Sequence, residues 1–214
     1  MYTFSGIDSS GKTTQIELLI QYCNNNNIDV YERWSKGRAT PGVLWLKKVF
    51  SKDTGKTLSR EEILEHREEN WSNPKKKYLL LVCSIIDLWW FWGIYYRILN
   101  RKHELFICDR YLWDTYIDFK TEFPEYNIDK WIIWKIAMML SPKPKHSFMF
   151  YITADESFKR DNDKGDPDRD ELSRKKEKVS KYEVLMKQGK WDTIISGMQT
   201  REEMFEMVKK VIFG

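Results

Sequence analysis

Short apolar runs alternate with longer stretches of helical period along this chain, and punctuation by Gly, Pro and Asn separates them. The run at residues 2–5 predicts a strand leading into a glycine-bearing loop at 6–11. A helix over 12–24 follows, with Ile16, Leu19, Ile20 and Cys23 on one face, and the asparagines at 24–27 end it. A second strand at 29–34 leads to a turn at 35–38, Pro41 opens a helix through residue 49, and residues 53–73 are polar and largely helical. Pro74 starts a long apolar helix to about residue 101, and residues 105–109, bounded by charge, read as a buried strand. Helical patterns around 113–123 and 129–140 precede an apolar strand at 147–153. The charged stretch 159–170, with Gly165 and Pro167, interrupts an otherwise continuous helix to residue 188 and reads as a mobile flap. A strand at 192–195 and a helix at 200–212 complete five strands separated by helices. This is the α/β pattern of a five-stranded parallel sheet with helices on both faces.

Length and composition bound this picture. At 214 residues the chain suits one α/β domain over 1–214 with a small lid at about 159–172, since a second full domain would leave both small. Hydrophobic residues at 42% and charged residues at 32% are the balance of a globular protein. Aromatic residues at 15%, ten of them Trp, need a large core, a subunit interface or a stacking pocket to cover them. The net charge of +4 is mild and comes from interleaved signs, so no nucleic-acid partner is expected. Cys23, Cys83 and Cys108 show no metal-ligand spacing and fit a reducing cytoplasm, and the start of the chain has no secretion signal. Residues 78–96 carry one charge, Asp87, near the centre of nineteen residues. A carboxylate there costs about 2.5–3.5 kcal/mol even on a lenient insertion scale, so a buried helix is expected rather than a membrane span.

Candidate chemistry begins at Gly6-Ile7-Asp8-Ser9-Ser10-Gly11-Lys12-Thr13, which matches G-x-x-x-x-G-K-[ST] between a strand and a helix. Glycines let successive backbone N–H groups, here from Asp8, Ser9, Ser10 and Gly11 through Thr13 and Thr14, converge on phosphate at a helix N-terminus. Lys12 reaches the terminal phosphates of ATP, and Thr13 ligates Mg2+. The strand at 105–109 ends on Asp109, a second acidic strand end suited to holding the same cation. Together these predict the three-layer P-loop NTPase fold with ATP and Mg2+ as cofactors.

The opening Phe4-Ser5-Gly6-Ile7-Asp8-Ser9-Ser10-Gly11-Lys12-Thr13-Thr14-Gln15 resembles the thymidylate kinase pattern F-x-G-x-D-G-[SA]-G-K-T-T-Q, with Ser9 where the family usually has Gly. Asp109-Arg110-Tyr111 is similar to the family's D-R-Y, and the stretch from Lys159 and Arg160 through Lys164 and Arg169 to Val179 and Tyr182 is similar to its basic lid and following helix. The resemblance spans nearly the whole chain. It implies a nucleoside monophosphate kinase in which Asp109 lies near the metal, Arg110 holds the acceptor phosphate and lid cations such as Arg160 and Arg169 close over the transferring group. It also implies a homodimer formed through the long apolar helix. Charge on the equatorial oxygens of a transferring phosphoryl group needs such cations, although the same residues also read as a solvated loop.

The acceptor side departs from the family. The thymine-reading aromatic and Arg fall at Ser84 and Leu88, while Asp87 keeps the place of a polar residue. Asp114 and Asp118 replace a Ser and a Tyr after D-R-Y, four apart on one helix face. Such carboxylates suit hydroxyl or amine donors on an acceptor, or equally cap a helix and pair with Arg110. Asp8 joins the substrate candidates, and either Arg33 or Arg38 can bind acceptor phosphate at the end of the second strand. Three functions remain open: a nucleoside monophosphate kinase, a kinase of a sugar, polyol or other small hydroxylated acceptor, and a non-catalytic ATP-binding protein.

Overall fold

The computed structural model describes residues 1–34, 73–165 and 170–214. The expected turn at 35–38, the helix at 41–49 and the polar stretch up to residue 72 lie outside the described residues, as do Arg38 and Arg169. Among the described residues, β1 (Tyr2–Ser5), β2 (Val30–Trp34), β3 (Leu105–Asp109), β4 (His146–Tyr151) and β5 (Thr193–Ser196) form one sheet in the order β2-β3-β1-β4-β5. Every neighbouring pair is parallel. Parallel pairs need crossover helices that cover both faces, and β3 is accordingly buried at all its positions.

Among the described residues the α-helices are α1 (Lys12–Asn25), α2 (Pro74–Trp90), α3 (Tyr96–Lys102), α4 (Leu112–Glu122), α5 (Ile132–Leu140), α6 (Ala154–Lys164), α7 (Leu172–Lys187) and α8 (Arg201–Phe213). Alternation along the strands sorts the core between two faces. Phe4, Ile107 and Phe148 pack with Ile16 and Leu19 of α1 and with Met204 and Val208 of α8. Phe106 and Cys108 point the other way, into a cluster with Leu81, Ile85, Trp92, Tyr96 and Trp134. Met149 and Ile152 meet Tyr182 and Leu185 of α7 in a third cluster. Three layers result, as the alternation of strands and helices predicts.

Much of the aromatic excess is internal. Trp92 meets the Tyr111 ring edge-on at 5.3 Å, and Tyr96 meets Phe106 at 5.3 Å and 88°. Edge-to-face pairs of this kind add about 0.5–1.5 kcal/mol each beyond their burial. The long apolar helix starts where Pro74 suggests, with the Asn73 side chain accepting from the N–H groups of Lys75 and Lys76. It runs to Lys102, but a π-helical turn at Phe91–Tyr95 joins α2 to α3. The hydrophobic period does not reveal that turn, in which Gly93 lies against Leu140 of α5. By length and composition this helix is able to cross a membrane, yet its Leu81, Ile85, Leu88 and Trp92 are buried in the core.

Two expected boundaries move. β4 stops at Tyr151 because Thr153 caps α6, its Oγ1 accepting from the Glu156 N–H at 3.3 Å. The first half of the expected flap is helical, since α6 continues to Lys164 and ends at Gly165 in the left-handed region (φ 66°).

Candidate active site

The loop between β1 and α1 is shaped by two backbone positions that side chains resist. Gly6 has φ 141°, and a Cβ there would sit 2.3 Å from the Phe150 carbonyl oxygen, while Gly11 caps α1 at φ 100°. The curled loop buries Lys12, whose ammonium donates to the Gly6 and Ile7 carbonyls at 2.8 and 2.9 Å. Burial, helped by the neighbouring Arg110 charge, lowers the Lys12 pKa to about 8.

Strand pairing brings the second motif alongside. Phe4 registers with Asp109, and the Arg110 N–H donates to the Phe4 carbonyl at 2.9 Å, so D-R-Y opens beside the base of the loop. Asp109 Oδ1 is buried without a hydrogen-bond partner, and burial raises its carboxyl pKa against the opposing charges of Lys12 and Arg110. Arg110 has φ 69° and pairs with Asp8. Burial alone would disfavour its charge, but Asp8, with Tyr182, Asp118 and Asp114 adding, holds the guanidinium pKa well above its ordinary value.

Residues 8–14, Trp34, Asp109, Arg110 and Lys164 line one cavity of about 200 Å³. Whole-ligand pockets run to roughly 300–1,000 Å³, so this one suits a phosphate chain and its cation rather than an entire nucleotide. The donor set fits Mg2+: the orphaned Asp109 oxygen faces hard-cation chemistry, and the exposed Thr13 hydroxyl lies on the same cavity. Among the described residues no three His, Cys, Asp or Glu side chains form a protein-only metal cage. Magnesium typically completes its shell with substrate phosphates and water instead.

Thus Asp8, Ser9, Ser10, Gly11, Lys12, Thr13, Thr14, Asp109 and Arg110 come together, and Gly6 shapes the loop beneath them. Lys164 is the lid cation that reaches the cavity among the described residues. Arg160 does not line it. Its guanidinium donates to Glu156 at 2.7 Å, to the Ser9 carbonyl at 3.3 Å and to the Gly197 carbonyl at 3.0 Å, and so clamps two loops together. Arg33 lies over the Phe91 ring at 5.7 Å, away from the cavity lining. Asp87 is half-buried on α2, where after burial its charge helps raise the Cys83 thiol pKa.

Of the two readings open for Asp114 and Asp118, acceptor contact or internal pairing, the described residues provide internal partners for both. Asp114 is fully buried and accepts from Ser5 Oγ at 2.6 Å, the Gly6 N–H at 3.1 Å, the Tyr111 N–H at 3.0 Å and Tyr182 Oη at 2.7 Å. Its acceptor positions are filled from within, so it ties β1, D-R-Y and α7 together. Asp118 lies 3.5 Å from Lys178, which also holds Asp170 at 2.6 Å. Trp34, half exposed on the cavity, carries no motif and is visible only once β2 is seen to end beside Asp109.

The sequence profile of the family described as Thymidylate kinase matches residues 4–208. No curated protein matches the chain at a significant level. Among solved structures, thymidylate kinase from Ehrlichia chaffeensis is similar with a TM-score of 0.57 at 17% identity, over 99% of this chain and 96% of that one, a likeness of fold. With the profile spanning both the phosphate loop and D-R-Y, the chain belongs to the thymidylate kinase family and is a kinase.

Proposed function

We propose that the chain is an ATP-dependent nucleoside monophosphate kinase that passes the γ-phosphoryl group of ATP in line to the phosphate of its acceptor, with no covalent intermediate. The observation that carries this is the convergence of Lys12, Asp109, Arg110 and Lys164 on one small polar cavity under a phosphate-binding loop. The backbone N–H groups of residues 9–14 cradle the donor phosphates, and the Lys12 ammonium turns from loop carbonyls to phosphate oxygens. Thr13 and Asp109 would hold magnesium, which when bound would neutralise charge on the donor phosphates. Arg110, braced by Asp8, orients the acceptor phosphate, and Lys164 with Arg169 offsets charge on the transferring group.

Thymidine monophosphate is a poor acceptor in this reading. Ser84 is buried with its hydroxyl donating to the Leu80 carbonyl at 2.7 Å, and Leu88 is buried in the core, so neither presents a base-reading group. Internal partners for Asp114 and Asp118 support a nucleotide acceptor over a sugar or polyol. Phosphorus NMR of ATP, Mg2+ and each nucleoside monophosphate tests the reaction: ADP and a second nucleoside diphosphate should accumulate together. Signals of ADP and inorganic phosphate alone, with every acceptor tried, would contradict it.

We infer that residues 1–214 act as one kinase domain in the cytoplasm and that two copies associate. Ile86, Trp90, Ile94 and Ile98, four apart along α2, the π-helical turn and α3, are 46, 58, 46 and 54% exposed, an apolar stripe facing away from the core. A second copy of the same stripe covers it, in line with the family's use of this helix. Sedimentation should show a dimer at micromolar concentration, and Trp90→Glu should shift it to monomer. An unchanged monomeric wild type would remove this inference.

A further inference from the structure

Behind the phosphate loop lies a buried polar network that the proposed reaction does not use. Lys175 of α7 is 1% exposed, and burying an ammonium is unfavourable unless its donors are met. Its Nζ lies 2.5 Å from Asp161 Oδ2 and donates to Ser157 Oγ at 2.8 Å, both on α6. The other Asp161 oxygen accepts from the Ser9 hydroxyl, and Ser157 Oγ donates to the Asp8 carbonyl at 2.8 Å. Residues 157, 161 and 164 share one face of α6, and from that face Lys164 Nζ reaches Ser9 Oγ at 3.1 Å. The network therefore runs without a gap from α7 through α6 into the phosphate loop, and it ends on the lid cation that lines the cavity.

Two features set this apart from ordinary helix–helix adhesion. Apolar side chains would join α6 to α7 as well or better, since a buried ion pair is often neutral or unfavourable beside a hydrophobic replacement. Ser9 also sits at φ 59°, in the region that favours glycine. A hydroxyl thus occupies a strained position, where it contacts Asp161 and Lys164.

We propose that Lys175 and Asp161 are positioning residues for phosphoryl transfer: they lock α6 to Ser9, fix the phosphate loop from behind and present Lys164 to the cavity. This inference rests on the kinase reading above for its rate effect, but not for its structural effect. The lid helix and the phosphate loop behave as one body, so loosening α7 is felt at the loop.

The test pairs kinetics with hydrogen exchange on the full-length protein. Lys175→Met strands the Asp161 carboxylate and should lower both melting temperature and kcat. In Lys175→Met/Asp161→Leu the apolar pair should restore the melting temperature to within about 3 °C of wild type. The double variant should nevertheless keep kcat at least ~10-fold down with acceptor KM within about twofold, the signature of lost transition-state positioning. Ser9→Ala should lower kcat about threefold or more with the fold retained, and it carries the test if the double variant fails to fold. In all three, amides of residues 8–13 and 154–164 should exchange faster together, by about tenfold or more. Wild-type kcat and unchanged exchange in the double variant, or in Ser9→Ala if the double variant does not fold, would overturn the proposal. If wild type transfers phosphate to no acceptor, the kinase reading fails alone, and exchange decides this one: coupled acceleration sustains it, and unchanged protection overturns it.

Discussion

Among the described residues, the charged groups expected on the donor side and those expected on the acceptor side are used in opposite ways. On the donor side, Asp109 keeps a buried oxygen without a partner, and Lys12 rests on backbone carbonyls that a phosphate readily replaces. Among the described residues near the expected acceptor position, charges are paired internally: Asp114 by four donors, Asp118 by Lys178, and Asp170 by Lys178 and Arg174, which also reaches Glu122. A carboxylate's identity does not decide between ligand recognition and scaffolding; the supply of internal donors around it does.

The largest expected effect falls on the donor side. Lys12→Ala and Asp109→Ala should each reduce kcat by about 10³-fold or more, roughly 4 kcal/mol of transition-state stabilisation, with circular dichroism unchanged. Turnover near wild type in either variant would erase the distinction between the two sides.

On the acceptor side the leading effect should be on stability. Asp114→Ala leaves Ser5, Gly6, Tyr111 and Tyr182 donors buried without an acceptor, and unfolding by denaturant should show a loss of about 3 kcal/mol or more. Asp114→Asn keeps shape and part of the acceptance and should lose less. Full stability in the Ala variant would mean that this carboxylate is not the tie described.

Asp118→Asn sharpens the same comparison with a smaller effect. If Asp118 only balances Lys178, which keeps Asp170, the change should alter stability by about 1 kcal/mol or less and acceptor KM by no more than about twofold. A tenfold rise in acceptor KM would return Asp118 to the acceptor site.

The same contrast explains what the sequence discloses. The phosphate loop is legible because its chemistry is local: Gly6, Gly11 and Lys12 work through backbone torsion and a helix start, which spacing alone specifies. Asp109 is legible as a strand end, although its place beside β1 depends on the order β2-β3-β1-β4-β5, which no local pattern encodes. Asp114 is ambiguous in the sequence because one of its partners, Tyr182, is 68 residues away. Lys175, within the run Arg174-Lys175-Lys176, reads as a solvated face and is buried only because α6 brings Asp161 against it. Arg160 reads from the sequence as a lid cation rather than a clamp, because the Gly197 carbonyl reaches it from the far end of β5.

The central claim is that donor-side chemistry is intact while thymine reading is lost. The most direct measurement is coupled ADP release with ATP, Mg2+ and each common nucleoside monophosphate, ranked by kcat/KM at one pH and ionic strength. Another monophosphate should exceed thymidine monophosphate by about tenfold or more, since a site without the base's hydrogen-bond partner discriminates against it. Thymidine monophosphate as the best acceptor, at about 10⁴ M⁻¹s⁻¹ or above, would contradict the account.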